Sequence, residues 1–406
     1  MYNQVIGNIE IMKKWKVILL ASTILAGCVK PYNPPAITSN GSYLVVEGAI
    51  NSGSDPTTIT LNRTVNLSSH SSLKPELHAI VAVQSDQNLV FPLTEAGNGR
   101  YVSAGLNLSN SHTYRLNIKT SNNEQYYSDY VTALNSPPID SVNFTITNNG
   151  VNIYSNTHDA TNRVKYYRWD YQETWIIHSN YDSGFISNGD TVLERTPAQQ
   201  VTICWSSDTS SNIVLGSTAA LARDVISGNP ITSIVSTSEK LSSEYSILVR
   251  QYALTGDAYN FWVNLRNNTE NLGSIFDAQP SQINGNIHSA TNPTEPVIGY
   301  ISVGSTSSIR IFIKNQQLPG WLAILPNYNC VLDTFYYKYI PPGGQIPVNQ
   351  VNEYINYDKG AGPGALIPIA PVGPPLVPPT GYTASSTQCV ECTLRGTNIQ
   401  PSYWIY

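Results

Sequence analysis

Seven short runs of period-two character crowd the stretch from residue 43 to residue 134. They are Tyr43–Ile50, Thr57–Val65, His78–Gln84, Asn88–Leu93, Arg100–Leu108, Thr113–Lys119 and Gln125–Ala133, separated by Gly, Asn, Ser and Asp. Alternation puts every second side chain on one face of a strand, so each run offers one apolar face to a core. Strands this short, with turn residues between them, predict an immunoglobulin-like antiparallel β-sandwich over 43–134. Tyr114-Arg115-Leu116-Asn117-Ile118 alternates cleanly and follows Leu108 at a spacing like that of a tyrosine corner. An ordinary strand with a half-buried tyrosine has the same pattern, and both readings stay open here.

Asn135-Ser136-Pro137-Pro138-Ile139-Asp140 marks a boundary, because two prolines cannot continue a sheet ladder. Residues 135–140 therefore read as a linker, and 141–406 as a second, β-sandwich-like domain. Its runs are Val142–Thr147, Val151–Ser155, Lys165–Ser179, Gln200–Trp205, Asn212–Leu215, Val297–Val303 and Ile309–Lys314. One amphipathic helix is expected over about 256–268. Thr255 stands at the cap, Asp257 in the first turn, and Ala258, Phe261, Trp262 and Leu265 recur at helical spacing. Residues 341–380 are rich in proline and glycine and read as a long loop rather than a packed element.

The N-terminus carries an address. Lys13-Lys14-Trp15-Lys16 precedes the apolar run Val17–Leu25 and then Leu25-Ala26-Gly27-Cys28. This order of basic, apolar and small residues before a cysteine is that of a lipoprotein signal peptide, residues 1–27. The apolar run is too short to span a bilayer, which takes about 20 residues. Cleavage would leave Cys28 as the lipid-bearing first residue and 28–42, with Pro31, Pro34 and Pro35, as an extended tether. Loss of three lysines and Glu10 would move the net charge from −5 to −7. Basic residues are few and scattered, which argues against nucleic acid as a partner. With Cys28 set apart, Cys204, Cys330, Cys389 and Cys392 remain. An even number in an oxidising envelope points to disulfides, and four cysteines allow three pairings. Cys389-Val390-Glu391-Cys392 lacks two further zinc ligands at short spacing and lacks the strand-to-helix setting of a redox pair.

Chemistry-bearing patterns are sparse. The histidines at 70, 78, 112, 158, 178 and 288 include no zinc-type pair, and there is no nucleophile elbow or phosphate-binding loop. Gly360-Ala361-Gly362-Pro363-Gly364-Ala365 fits a dinucleotide fingerprint formally, but proline rather than a helix follows it. A glycosidase would need two of Asp170, Glu173, Asp182 and Asp190 at about 5–9 Å, and carboxylates this scattered read as surface groups. No catalytic residue, metal ligand or cofactor is therefore assigned. Aromatics are the remaining signal. Tyr167, Trp169 and Tyr171 share one face of the Lys165–Ser179 run, and with Trp175 they are candidates for stacking on a sugar or a partner. Packing in a core is the competing account, for these and for Trp205, Trp262 and Trp321.

Several pieces together resemble a known family. They are Tyr43-Leu44-Val45-Val46-Glu47-Gly48, Pro137-Pro138-Ile139-Asp140-Ser141-Val142, Cys204-Trp205, Ser246–Tyr252 with Ala258–Trp262, Gly273–Pro280 with Gly285-Asn286-Ile287, and Cys389–Gly396 with Asn398 and Pro401. In this order they resemble the lipoproteins that carry domain of unknown function 4249. The resemblance implies an envelope lipoprotein, often encoded beside TonB-dependent outer-membrane transporters, and supplies no activity or catalytic residue. The expectation is a non-catalytic accessory lipoprotein, anchored to the outer membrane through lipid on Cys28 and partnering such a transporter. The alternatives are a stand-alone glycan- or peptide-binding lipoprotein and, behind it, a hydrolase. Val29-Lys30-Pro31-Tyr32-Asn33 holds no acidic export signal, which favours the periplasmic face over the cell surface.

Overall fold

The computed structural model describes residues 42–65, 74–270, 285–357 and 365–404. Cys28, the tether apart from Ser42, His70, Gly273–Pro280 and Gly360–Gly364 lie outside the described residues. The chain is mostly β, as its alternating runs require.

Residues 44–132 form one sheet that curls over its own core. The strand path runs Gln125–Ser128, Thr113–Lys119, Ile80–Ser85, Val90–Glu95, Arg100–Ser103, Thr57–Arg63 and Leu44–Asn51. Both halves of the curl feed one core, Leu44, Val46, Ile59 and Leu61 from one half and Val81, Val83, Leu116 and Ile118 from the other. The Tyr114 hydroxyl donates to the Ser109 carbonyl at 3.1 Å, five residues upstream, the contact of a tyrosine corner.

This domain is not continuous in sequence, which departs from the 43–134 boundary. Residues 285–304 return to it from the far side of the chain. Ile287–Ser289 pairs with Gln125–Ser128, and Val303–Gly304 pairs with Leu44–Asn51 in parallel. Ile287, Val297, Ile301 and Val303 then complete the core. Charge fastens the same return. The buried Arg63 guanidinium donates to Glu76 at 2.6 Å and Glu124 at 2.7 Å, and Glu295 of the returning segment stands 3.7 Å away. Gly299 sits at φ +141° where a Cβ would meet the Val46 carbonyl at 2.2 Å, so the approach to that strand requires glycine. The expected long strand Val297–Val303 shrinks to Val303–Gly304 plus a bridge from Ile298 to Val45.

The second core lies between two sheets. One orders Ile139–Thr147, Gly150–His158 and Val225–Val235. The other orders Ile203–Thr209, Tyr166–His178, Glu244–Leu254 and Thr306–Lys314. Val142, Val151, Ile153 and Ile234 of the first sheet meet Tyr167, Trp169, Ile247 and Val249 of the second. Val225–Val235 is an edge strand whose register shifts at Pro230, so its proline and glycine hid it from the sequence pattern. The helix forms at Gly256–Thr269, with the Ala258 amide donating to the Thr255 hydroxyl at 3.2 Å and Ala258 and Phe261 buried.

The stretch 341–380 is not wholly a loop. Val351–Asn356 is a turn of π-helix with Val351 and Ile355 fully buried, and Leu366–Val372 is an edge strand beside Gly381–Ser386. Pro368 and Pro371 are tolerated there because an edge strand leaves one row of N–H positions unused. With Asp333–Tyr336 and the hairpin Phe185–Ser187/Val192–Glu194, these elements build a third, small core around Tyr382 and Ala384.

All four remaining cysteines pair. Cys204 bonds Cys392 across 188 residues, and Cys330 bonds Cys389 across 59. The first bridge pins the C-terminal tail onto the strand Ile203–Thr209, where Trp205 and Thr397 also exchange backbone hydrogen bonds. Among the described residues no helix is long and apolar enough to cross a membrane.

Candidate functional site

Tyr166–His178 is thirteen residues long, and its alternation settles which side chains can meet a ligand. Tyr167 and Trp169 are 0 % exposed and Tyr171 is 6 % exposed, so the candidate binding aromatics face the core. The Tyr167 hydroxyl donates to Asp224 at 2.8 Å, Trp169 Nε1 to Gln251 at 3.1 Å, and the Tyr171 hydroxyl to Thr232 at 3.1 Å. Trp175 packs against the same core with Lys240 over its ring. Tyr167, Trp169 and Tyr171 are core residues whose polar tips are satisfied, and Trp175 is partly buried against the same core, which corrects the reading of the four as a binding surface.

The hydrolase carboxylates do not converge either. Glu173 is buried and accepts from the Tyr245 hydroxyl at 2.7 Å and from Lys240. Asp170 stands an odd number of residues away, on the opposite face. Asp182 and Asp190 are exposed, the former accepting from Thr202.

The outer face of the strand carries what the aromatics do not. Arg168, Asp170 and Gln172 alternate outward, and the strand register sets charged neighbours beside them. Asp170 lies opposite Arg250, Arg168 opposite Tyr252, and Leu248 opposite Arg310. Arg250 Nε donates to Asp170 at 2.7 Å, while an Arg168 terminal nitrogen lies 3.5 Å from the other carboxylate oxygen. Partial burial works against the Arg250 charge, yet the Asp170 carboxylate outweighs it and raises the Arg250 pKa. The Tyr252 hydroxyl, buried and beside Asp170, is pushed up to about 12. Arg310 differs. Its Cζ stacks 3.6 Å from the centre of the Tyr403 ring and it donates to Ser246 at 3.1 Å, but it has no carboxylate within ion-pair distance among the described residues. Burial lowers its pKa, with the Arg250 charge adding to the effect.

Aromatic walls hold these arginines in place. Arg168 lies 4.2 Å from the Tyr252 ring centre and 4.5 Å from that of Trp262, which the helix Gly256–Thr269 delivers. Such contacts contribute about 0.5–2 kcal/mol each and fix the guanidinium plane. Beside them a cleft of about 300 Å³ opens, walled by Arg168, Asp170, Arg250 and Trp262 and by the loop Thr209–Ile213. Three arginines share this face with one carboxylate in ion-pair contact, in a chain with only 12 % charged residues. The candidate aromatics of the sequence reading lie on the buried side of the strand. The usable signal was arginine alternating with apolar residues in three separate runs, around Arg168, Arg250 and Arg310.

Exposed apolar side chains recur at several positions between residues 322 and 377. Leu322, Ile346 and Tyr357 are 87 %, 80 % and 81 % exposed, and Ile324, Val331, Ile340 and Val377 are exposed nearby in sequence. Monomeric surfaces also carry scattered apolar residues, and these seven fall between residues 322 and 377.

The sequence matches, over residues 29–310, the profile of a family described as a domain of unknown function, DUF4249. The chain belongs to the DUF4249 family. No curated protein matches it. The DUF4249 match ends inside the strand Thr306–Lys314, so Cys389–Cys392 and the module of exposed apolar residues lie beyond the matched span.

Proposed function

We propose that this DUF4249 protein is a non-catalytic accessory lipoprotein, held at the outer membrane by lipid on Cys28 and docked through its C-terminal module against a TonB-dependent transporter. The observation that carries the docking half is the set of exposed apolar side chains between Leu322 and Val377, in a C-terminal region that Cys204–Cys392 ties to the DUF4249 domain. The envelope half rests on the signal ending at Cys28 and on four downstream cysteines that all pair, as expected in an oxidising compartment. Purification of the tagged chain from detergent-solubilised envelope should recover a β-barrel transporter with it, and recovery without any barrel contradicts the docking. Cys28→Ala should release the protein from the membrane fraction, and retention contradicts the anchor. A stand-alone glycan-binding lipoprotein is the second reading, favoured by the arginine cleft.

A further inference from the structure

We infer that the cleft beside Arg168, Arg250 and Trp262 binds a sugar unit that carries an oxyanion, a carboxylate or a sulfate. This deepens the glycan-binding reading and rests on the cleft alone, so it stands or falls independently of the transporter partner.

Charge makes the first argument. Asp170 is shared between Arg168 and Arg250, and Arg310 has no carboxylate in contact, so guanidinium charge on this face exceeds what the protein neutralises. Arg310 sits on the next strand, opposite Leu248, which is two residues from Arg250. Side chains so related across a sheet lie about 7–8 Å apart, within reach of one bound acid group. Guanidinium presents paired N–H donors that match a carboxylate or sulfate edge.

Preorganisation makes the second. Arg168 is stacked between two rings, Arg250 is braced by Asp170, and Arg310 is stacked on Tyr403. Side chains already held in place lose little rotamer freedom on binding, so most of the contact energy reaches the affinity.

The wall opposite makes the third. Thr209, Ser210, Ser211 and Asn212 bring hydroxyl and amide groups to the rim, and Trp262 adds an apolar ring. Short neutral hydrogen-bonding groups facing an indole suit a ligand with vicinal hydroxyls on one edge and C–H bonds on its face. A cleft of about 300 Å³ is at the small end of ligand sites and fits one sugar ring with its acid group. A purely phosphate or acidic-peptide ligand would make use of the arginines but not of this rim.

Calorimetry on the full lipidated chain in detergent tests the assignment with four probes: polygalacturonate, dextran sulfate, neutral dextran and polyglutamate. One of the two acidic glycans should bind, weakening as salt rises, and which one binds separates carboxylate from sulfate. Arg310→Met should lower that affinity at least tenfold. It breaks no carboxylate pair, so its thermal midpoint should stay within a few degrees of the parent. Arg250→Lys, which keeps the charge beside Asp170 but loses the fork, should weaken binding as well. Binding of neither acidic glycan, or affinity untouched by both substitutions, overturns the proposal. Equal binding of polyglutamate overturns the sugar assignment in favour of an acidic peptide.

Discussion

Replacing Cys204 and Cys392 together by alanine removes the longest covalent constraint in the fold. The bridge closes a loop across 188 residues. In the chain-entropy account a loop of that length restricts the unfolded chain by about 5 kcal/mol. Both cysteines are essentially buried, against Ile177 and Trp175. The tail it fastens adds a local effect. Trp404 packs on Trp205 and on Phe312 with ring centres 6.5 and 5.3 Å apart, and its Nε1 donates to Glu244 at 3.1 Å. Spread over the unfolding entropy of a chain this size, about 5 kcal/mol lowers the melting midpoint by roughly 7 °C. Differential scanning calorimetry gives the midpoint, and tryptophan fluorescence reports whether the Trp205–Trp404 contact loosens first. The bridge Cys330–Cys389 closes only 59 residues, so its double alanine variant should lose about 1 kcal/mol less. A Cys204/Cys392 variant that melts within 2 °C of the parent refutes the reasoning, as does a larger loss from the shorter loop.

Three further outcomes follow. Trp169→Ala, at a fully buried position facing both sheets, should cost about 3–5 kcal/mol in urea unfolding and leave little folded protein on heating. Tyr114→Phe removes only the hydroxyl that donates to Ser109 and should cost about 1 kcal/mol, detectable as a shifted urea midpoint with an unchanged slope. Asp159 is depressed to about 2: its slight burial opposes ionisation, but donation from Thr161, Arg163 and Val164 prevails. Its folded value lies below its unfolded value, so its contribution is present above about pH 4 and is lost as pH falls towards 2. Asp159→Ala should therefore flatten the acid limb of stability against pH, and an unchanged limb contradicts that assignment.

Much of the architecture was written in the residues because strands with one buried face alternate. Thr113–Lys119 and the helix near 256–268 emerged at almost their true bounds, since period two and the Thr255 cap are local signals. The return of 285–304 to the first sheet is a long-range pairing, which no local pattern states. Edge strands were missed at Val225–Val235 and Leu366–Val372 because proline, which the sequence reading treats as a stop, is tolerated where one side of the ladder is open. The faces of Tyr166–His178 are ambiguous in sequence for a different reason. A strand presents two faces, and Tyr167, Trp169 and Tyr171 on one alternate with Arg168 and Asp170 on the other. Which face is buried depends on where the opposing sheet packs, and no local pattern states that. The even cysteine count pointed to disulfides, but the pairing needed the fold, because the tail had to cross back onto Ile203–Thr209.

Photo-crosslinking in intact cells addresses the accessory-lipoprotein account most directly. A photoreactive phenylalanine analogue at Ile346 or Tyr357, both highly exposed on the C-terminal module, should form one covalent adduct with an outer-membrane β-barrel transporter. The same analogue at Val235, exposed at the edge of the second sandwich, should form none. Adducts with no barrel protein from either module position, in cells where the lipidated chain is intact and membrane-bound, would contradict the account.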